Sequence, residues 1–263
     1  RRQRQMCIRD SLFVEKLSIK NILKKNKTPF YIYSESQIAF NFLKFANTFK
    51  KTDPLICFAA KSNSNLNILR VLGKLGAGAD VVSGGELLKA LKAGIRPNKI
   101  VFSGVGKTEE ELKIAINKKI LLINCESESE AKLVNNLSKK LRKKVSIGFR
   151  LNPNVDAKTH KNISTGKAEN KFGLSIKNFK VFLKTVKTFK YVKLDALSVH
   201  IGSQILNDAP FKKTLNVMSK LIRELKLNLK YVDLGGGFGI NYTDKEKPIN
   251  LSKYCLLYTS DAA

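Results

Sequence analysis

Lys61 is the residue best placed for chemistry in this sequence. It is the lone charge after the apolar run at 55–60, and strand alternation would set it on the face of Cys57 and Ala59. An amine at a buried strand end is pushed toward its neutral form, because burial disfavours the charged one. A neutral amine attacks an aldehyde and forms a Schiff base. A lysine that has left the strand for solvent would be spelled the same way. The second signal is Gly235, Gly236 and Gly237 with Gly239, directly after the apolar run at 230–234. Consecutive glycines let backbone N–H groups approach an anion closely, and a merely tight turn is the alternative. His200 follows another apolar run and precedes Gly202, so its ring is expected at the end of a strand. A hydrogen-bonded structural histidine fits that position too.

Two glycine patterns carry no such meaning. Gly104-Val105-Gly106-Lys107-Thr108 resembles the end of a phosphate-binding P-loop, but the first glycine of that motif would fall on Val101. The run at 235–239 misses the dinucleotide fingerprint because position 240 is Ile240.

These residues need elements to position them. Apolar runs at 55–60, 79–82, 99–102, 120–123, 145–149, 194–199 and 230–234 alternate with amphipathic helical stretches. Ser34 with Gln37, Thr108 with Glu111 and Ser127 with Glu130 stand at capping-box spacing. Alternating strand and helix predicts a parallel sheet covered by helices. Seven such units over about 200 residues favour a (β/α)8 barrel, lacking its eighth unit, over an open doubly wound sheet. Barrel chemistry gathers at the C-terminal ends of the strands. Those ends are Lys61, Asp80 with Ser83-Gly84-Gly85, Ser103-Gly104, Asn124, Arg150 with Asn152, His200 to Ser203, and Gly235 to Gly237. The aromatic, alternating residues 28–34 predict a further strand before the barrel. The polar connection at 151–176 is long enough to be functional, and His160 within it is expected to be exposed.

Composition narrows the function classes. With 43% hydrophobic residues the chain can bury a sizeable core. No apolar run reaches the roughly 18 residues of a membrane span, and no leader-like apolar stretch opens the chain, so a cytoplasmic protein is expected. Cys7, Cys57, Cys125 and Cys255 are scattered without ligand spacing, which argues against disulfides and a metal site. The net charge of +28 is carried by dispersed lysines, with only nine arginines, four of them in residues 1–9. That pattern is a solvated surface rather than a nucleic-acid footprint. Residues 1–10 and 255–263 are read as foreign leader and tail, 11–27 as a lead-in and 28–254 as the barrel domain.

The motifs taken together resemble the ornithine/diaminopimelate/arginine decarboxylase family, whose barrel is of the alanine racemase type. AAKSNSN at 59–65, GADVVSGGEL at 78–87, ISTGKAENKFGL at 163–174, HIGSQ at 200–204 and DLGGGFG at 233–239 occur in the family's order. Their wording is closer to the diaminopimelate branch than to the ornithine branch. The resemblance implies pyridoxal phosphate as cofactor, with Lys61 holding it covalently and Asp80 positioning that lysine and the ring. It places Arg150 near the ring and His200 on the ring face, and Ser203, Gly235, Gly236 and Gly237 on the phosphate. It implies loss of carbon dioxide from diaminopimelate to give L-lysine, a small amino-acid substrate, and a homodimer when full length. The same family includes enzymes for ornithine, arginine and carboxynorspermidine, and non-catalytic single-barrel pyridoxal-phosphate binders. The family's Glu-Pro-Gly-Arg motif and C-terminal β-domain, with its Cys-Glu-Ser motif and tyrosine, have no counterpart here. The expectation is a chain that stops short of both and is inactive alone. Cys125-Glu126-Ser127 has the right letters but reads as a helix start.

Overall fold

Each apolar run becomes a strand that pairs in parallel with the next. The computed structural model describes residues 12–50, 53–157, 165–166, 172–243 and 249–260, the side chains of 256–260 excepted. A small hairpin, β1 (Phe13–Val14) and β2 (Leu17–Ser18), leads into α1 (Ile19–Leu23) and α2 (Glu35–Thr48). The repeating part then runs β3 (Cys57–Ala59), α3 (Leu66–Lys74), β4 (Gly78–Val81), α4 (Gly84–Lys92), β5 (Ile100–Phe102) and α5 (Glu109–Lys118). It continues β6 (Leu122–Cys125), α6 (Glu128–Lys140), β7 (Val145–Asn152), β8 (Leu174–Ser175) and α7 (Ile176–Val186). It ends β9 (Val192–Val199), α8 (Ala209–Glu224), β10 (Tyr231–Asp233) and α9 (Leu251–Ser260).

Spatial order follows chain order: β3, β4, β5, β6, β7, β9 and β10, with β8 added beside β7. A doubly wound sheet reverses direction at a switch point; this one does not, which is the logic of a barrel wall. All seven expected strands are present. Among the described residues nothing pairs β10 to β3, so the wall is open there. Packing spans the opening instead. Phe49, directly after α2 and ahead of the first wall strand, meets Tyr254 of α9, beyond the last, at 5.9 Å between ring centres. Phe211 and Phe238 close on the same tyrosine at 4.9 and 4.8 Å.

Local signals account for most of the elements. Thr108 and Glu111 form the complete reciprocal capping box at α5. At α6 only half of the box forms. Ser127 accepts the Glu130 N–H, but the Glu130 carboxylate bonds Lys107 and the Glu126 N–H instead. At α2, Ser34 caps Gln37 N–H, while the Gln37 side chain turns to Asn41.

One expectation is corrected. Residues 28–34 form no strand: they run unpaired, with Tyr31 90% exposed. Alternation supplies a strand-forming surface, but a strand needs a partner edge, and the described residues offer none. The hairpin β1–β2 lies in the lead-in, where two-residue strands carry too little periodicity to register in the sequence. α9 runs across residue 255, and Cys255 is buried. Cys57, Cys125 and Cys255 are free thiols. Among the described residues no helix is long and apolar enough to cross a membrane. His160 lies outside the described residues.

Candidate active site

The strand ends bring charged and polar groups to one end of the sheet. Lys61 sits just past β3, but not as its last residue. The strand stops at Ala59 and Ala60–Ser62 turn as a 3-10 helix, with the Ser62 hydroxyl closing on Ala59 O at 2.8 Å. That turn carries Lys61 out to an exposed position. The burial expected at this strand end is therefore not supplied by the chain's own packing. Its charge still reaches the site: it acts on both Asp80 and His200.

Asp80, on β4, has its carboxyl pushed up to about 6, chiefly by burial and further by Asp233, against the Ser103 hydrogen bond and the Lys61 charge. Its Oδ1 is buried without a hydrogen-bond partner. Asn124 extends this line by donating to Ser103 Oγ at 3.2 Å. Asp233 ends β10 and accepts the Gly235 N–H at 2.7 Å. Burial raises its pKa, while that hydrogen bond and the Arg150 charge oppose the rise. The Cys57 thiol is pushed up by burial and then by the Asp233 and Asp80 carboxylates. One thiol thus feels acids from both sides of the open wall.

His200 follows β9. Burial first, then the Arg150 and Lys61 charges, lower its pKa to about 4, so it is neutral at physiological pH. Its carbonyl accepts the Thr165 hydroxyl at 2.6 Å, which pins a described part of the long connection to the site. The loops after β9 and β10 are zipped together. Ile205 N–H donates to Gly237 O at 2.8 Å and Gly239 N–H to Ile205 O at 2.9 Å. The Gln204 side chain accepts the Ile240 N–H and donates to its carbonyl.

The glycines divide by role. Gly237 has φ +91, and a Cβ there would lie 1.9 Å from Gly202 O. Gly235 has φ +69, with a Cβ 2.8 Å from His200 Nδ1. Gly236 faces open space, and Ser203 is exposed beside Gly237. Gly235 and Gly237 are required by the loop itself, and Gly236 leaves room for a ligand. A phosphate-bearing aromatic aldehyde fits these residues. The open face at Gly236 is a cradle, Asp80 Oδ1 lacks a partner, and a neutral imidazole stands nearby.

The structure thus gathers Lys61, Asp80, Arg150, His200, Ser203 and the three glycines at one end. It adds four groups that sequence reasoning had passed over. Asp233 and Gln204 lay inside quoted motifs, which was the available signal. Glu126 pairs with Arg150 at 2.9 Å; its letters were seen only as a helix start. Lys107, set aside as a false P-loop lysine, is buried. None of its own sequence context signals that burial.

The His200 environment has a measurable consequence for the apoprotein. As pH falls below 6.5 the unfolded histidine takes a proton that the folded one refuses until about 4. Stability is therefore lost on acidification through that window, by up to about 3 kcal/mol. Asp80 works the other way: its raised pKa costs stability as pH rises toward 6. Comparing wild type with His200→Asn isolates the histidine. Its stability advantage should shrink between pH 7 and 4, and a constant difference would contradict a buried neutral ring.

Residues 35–259 match the family described as pyridoxal-dependent decarboxylase, pyridoxal binding domain. The chain is 41% identical over 239 residues to diaminopimelate decarboxylase of Aquifex aeolicus, covering 90% of this chain and 56% of that protein. It is 43% identical over 241 residues to diaminopimelate decarboxylase of Campylobacter jejuni, covering 90% and 60%. The crystal structure of diaminopimelate decarboxylase from Helicobacter pylori complexed with L-lysine superposes with a TM-score of 0.87 at 41% identity. That match covers 92% of this chain and 62% of the other. The chain thus spans less than two thirds of the length of these relatives.

Proposed function

The chain belongs to the pyridoxal-dependent decarboxylases, whose pyridoxal-binding domain its residues 35–259 match, and from that premise we propose that the protein decarboxylates meso-diaminopimelate to L-lysine and carbon dioxide. Pyridoxal phosphate is the cofactor of this domain. One observation carries the reading of the site: Lys61, the unpartnered Asp80 Oδ1, neutral His200 and the open face of Gly236 lie at the same end of a parallel sheet. When bound, the cofactor supplies a sink for the electron pair left as carbon dioxide departs.

The residues would divide the work as follows. Lys61 Nζ would hold the cofactor aldehyde and yield it to the substrate amine. Asp80 Oδ1 would accept a hydrogen bond from that assembly, so its buried oxygen gains the partner it lacks. His200, uncharged, would pack on the ring face. Arg150 would stand near the ring. Ser203 with Gly235, Gly236 and Gly237 would hold the phosphate. A homodimer in the cytoplasm as the working form rests on the family resemblance.

The test uses the full-length natural protein. Borohydride reduction should fix the cofactor to the peptide bearing Lys61, and label on another lysine would sink the assignment. Among meso-diaminopimelate, ornithine, arginine and carboxynorspermidine, the first should be turned over fastest. Preference for another of the four would move the reading to that branch. Gly236→Val should keep the thermal midpoint within a few degrees, because its Cβ meets nothing. It should weaken pyridoxal phosphate binding about tenfold or more by filling the cradle. Unchanged affinity would remove the phosphate from this loop.

A further inference from the structure

Glu126 follows β6 and has both carboxylate oxygens committed. Oε1 accepts from Arg150 Nη1 at 2.9 Å. Oε2 accepts the Gly173 N–H, also at 2.9 Å. The Arg150 guanidinium lies 5.0 Å from the centre of the Phe172 ring, within cation–π range. Gly173 has φ +75, and a Cβ there would come within 2.8 Å of Arg150 O. Phe172 and Gly173 mark the point where the long connection rejoins the sheet as β8. Three stretches far apart in sequence therefore meet on one carboxylate. The pair is largely shielded, with side chains 16% and 9% exposed for Arg150 and Glu126, so water screens it little. The Arg150 charge in turn acts on both His200 and Asp233.

We propose that Glu126 is a positioning residue of the active site: it holds the Arg150 guanidinium and the Phe172–Gly173 turn as one unit, so that placing either places both. This rests on the reading of Arg150 as a neighbour of the cofactor ring. Glu126 touches neither substrate nor cofactor and acts through Arg150. A carboxylate has the geometry for the task, since its two oxygens accept from a guanidinium and a backbone N–H at once. Glutamine keeps the shape but loses the charge that orients Arg150. Aspartate keeps the charge but is one methylene too short to span both donors.

The experiment compares wild type, Glu126→Gln, Glu126→Asp, Arg150→Met and the double variant Glu126→Gln/Arg150→Met in the full-length protein. The readouts are pyridoxal phosphate affinity, kcat and KM on meso-diaminopimelate, thermal midpoint, and hydrogen exchange of Gly173 N–H in the apoprotein. Glu126→Gln should weaken cofactor binding and lower kcat about tenfold, and the double variant should be no worse than Arg150→Met alone. Arg150→Met, though it leaves Glu126 in place, should speed Gly173 exchange several-fold. Glu126→Asp should fall between wild type and Glu126→Gln. If Glu126→Gln fails to fold, the aspartate variant and Arg150→Met with its Gly173 exchange decide the matter. Additive losses, or a lowered midpoint with unchanged affinity and kcat, would overturn the proposal. If wild type does not bind the cofactor through Lys61, the active-site reading and this inference fall together; if it does, only the inference is at stake.

Discussion

Replacing Lys107 by alanine should destabilise the protein by about 3–5 kcal/mol, the usual cost of removing one partner of a buried ion pair. The Lys107 side chain is fully shielded from solvent. Its ammonium donates to Gly104 O at 2.6 Å, to Asn124 O at 2.6 Å and to Glu130 Oε1 at 2.7 Å. All three of its protons are used, and Nζ stands 5.4 Å from the centre of the Phe102 ring. The lysine thereby ties the loop after β5 to the end of β6 and the first turn of α6. Alanine would leave two carbonyls and a largely buried carboxylate without their donor, in a cavity the size of the lost chain. The loss is a large fraction of a typical domain's stability, about 5–15 kcal/mol. Lys107→Met should recover the volume but not the hydrogen bonds, so it should fall between the two. Denaturant unfolding checks the series, and a loss below about 1 kcal/mol for alanine would show that this ion pair is not structural. Asn124 also donates to Ser103, which bonds Asp80. Weaker cofactor binding should therefore accompany the loss of stability.

Gly237→Val should reduce pyridoxal phosphate affinity about 100-fold or more and lower the thermal midpoint, because strain of a few kcal/mol falls on the loop itself. The residue has φ +91, where a β-branched side chain is a genuine outlier, and its Cβ would overlap Gly202 O at 1.9 Å. Relief requires the two loops to part. That breaks the Ile205 N–H to Gly237 O bond and loosens the Gly239 N–H to Ile205 O bond beside it. Gly236→Val is the control, since its Cβ meets open space. The two valines should therefore separate loop strain from ligand exclusion. Titration of the apoprotein with cofactor, alongside melting, measures both. Wild-type affinity in a folded Gly237→Val protein would contradict the requirement for glycine at this position.

The sequence by itself determined the rhythm of the fold. Seven apolar runs and the Thr108 capping box are local features, decided within a few residues, and they appear where expected. Strand ends then ranked the chemistry-bearing residues, because parallel strands all deliver their C-terminal residues to one side. The same local logic dismissed the P-loop on the identity of Val101. What only the tertiary structure decided depends on partners distant in the chain. Residues 28–34 have the alternation of a strand but, among the described residues, no edge to pair with. Lys61 leaves the strand in a 3-10 turn that alternation does not encode. Glu126 gains its meaning from Arg150, 24 residues on, and from Gly173, 47 residues on. Lys107 is buried because Glu130 and two carbonyls close around it. Periodicity reports which face of an element is apolar. A charged side chain on the polar face is paired or solvated according to strand register and helix packing, and those are set by the whole fold.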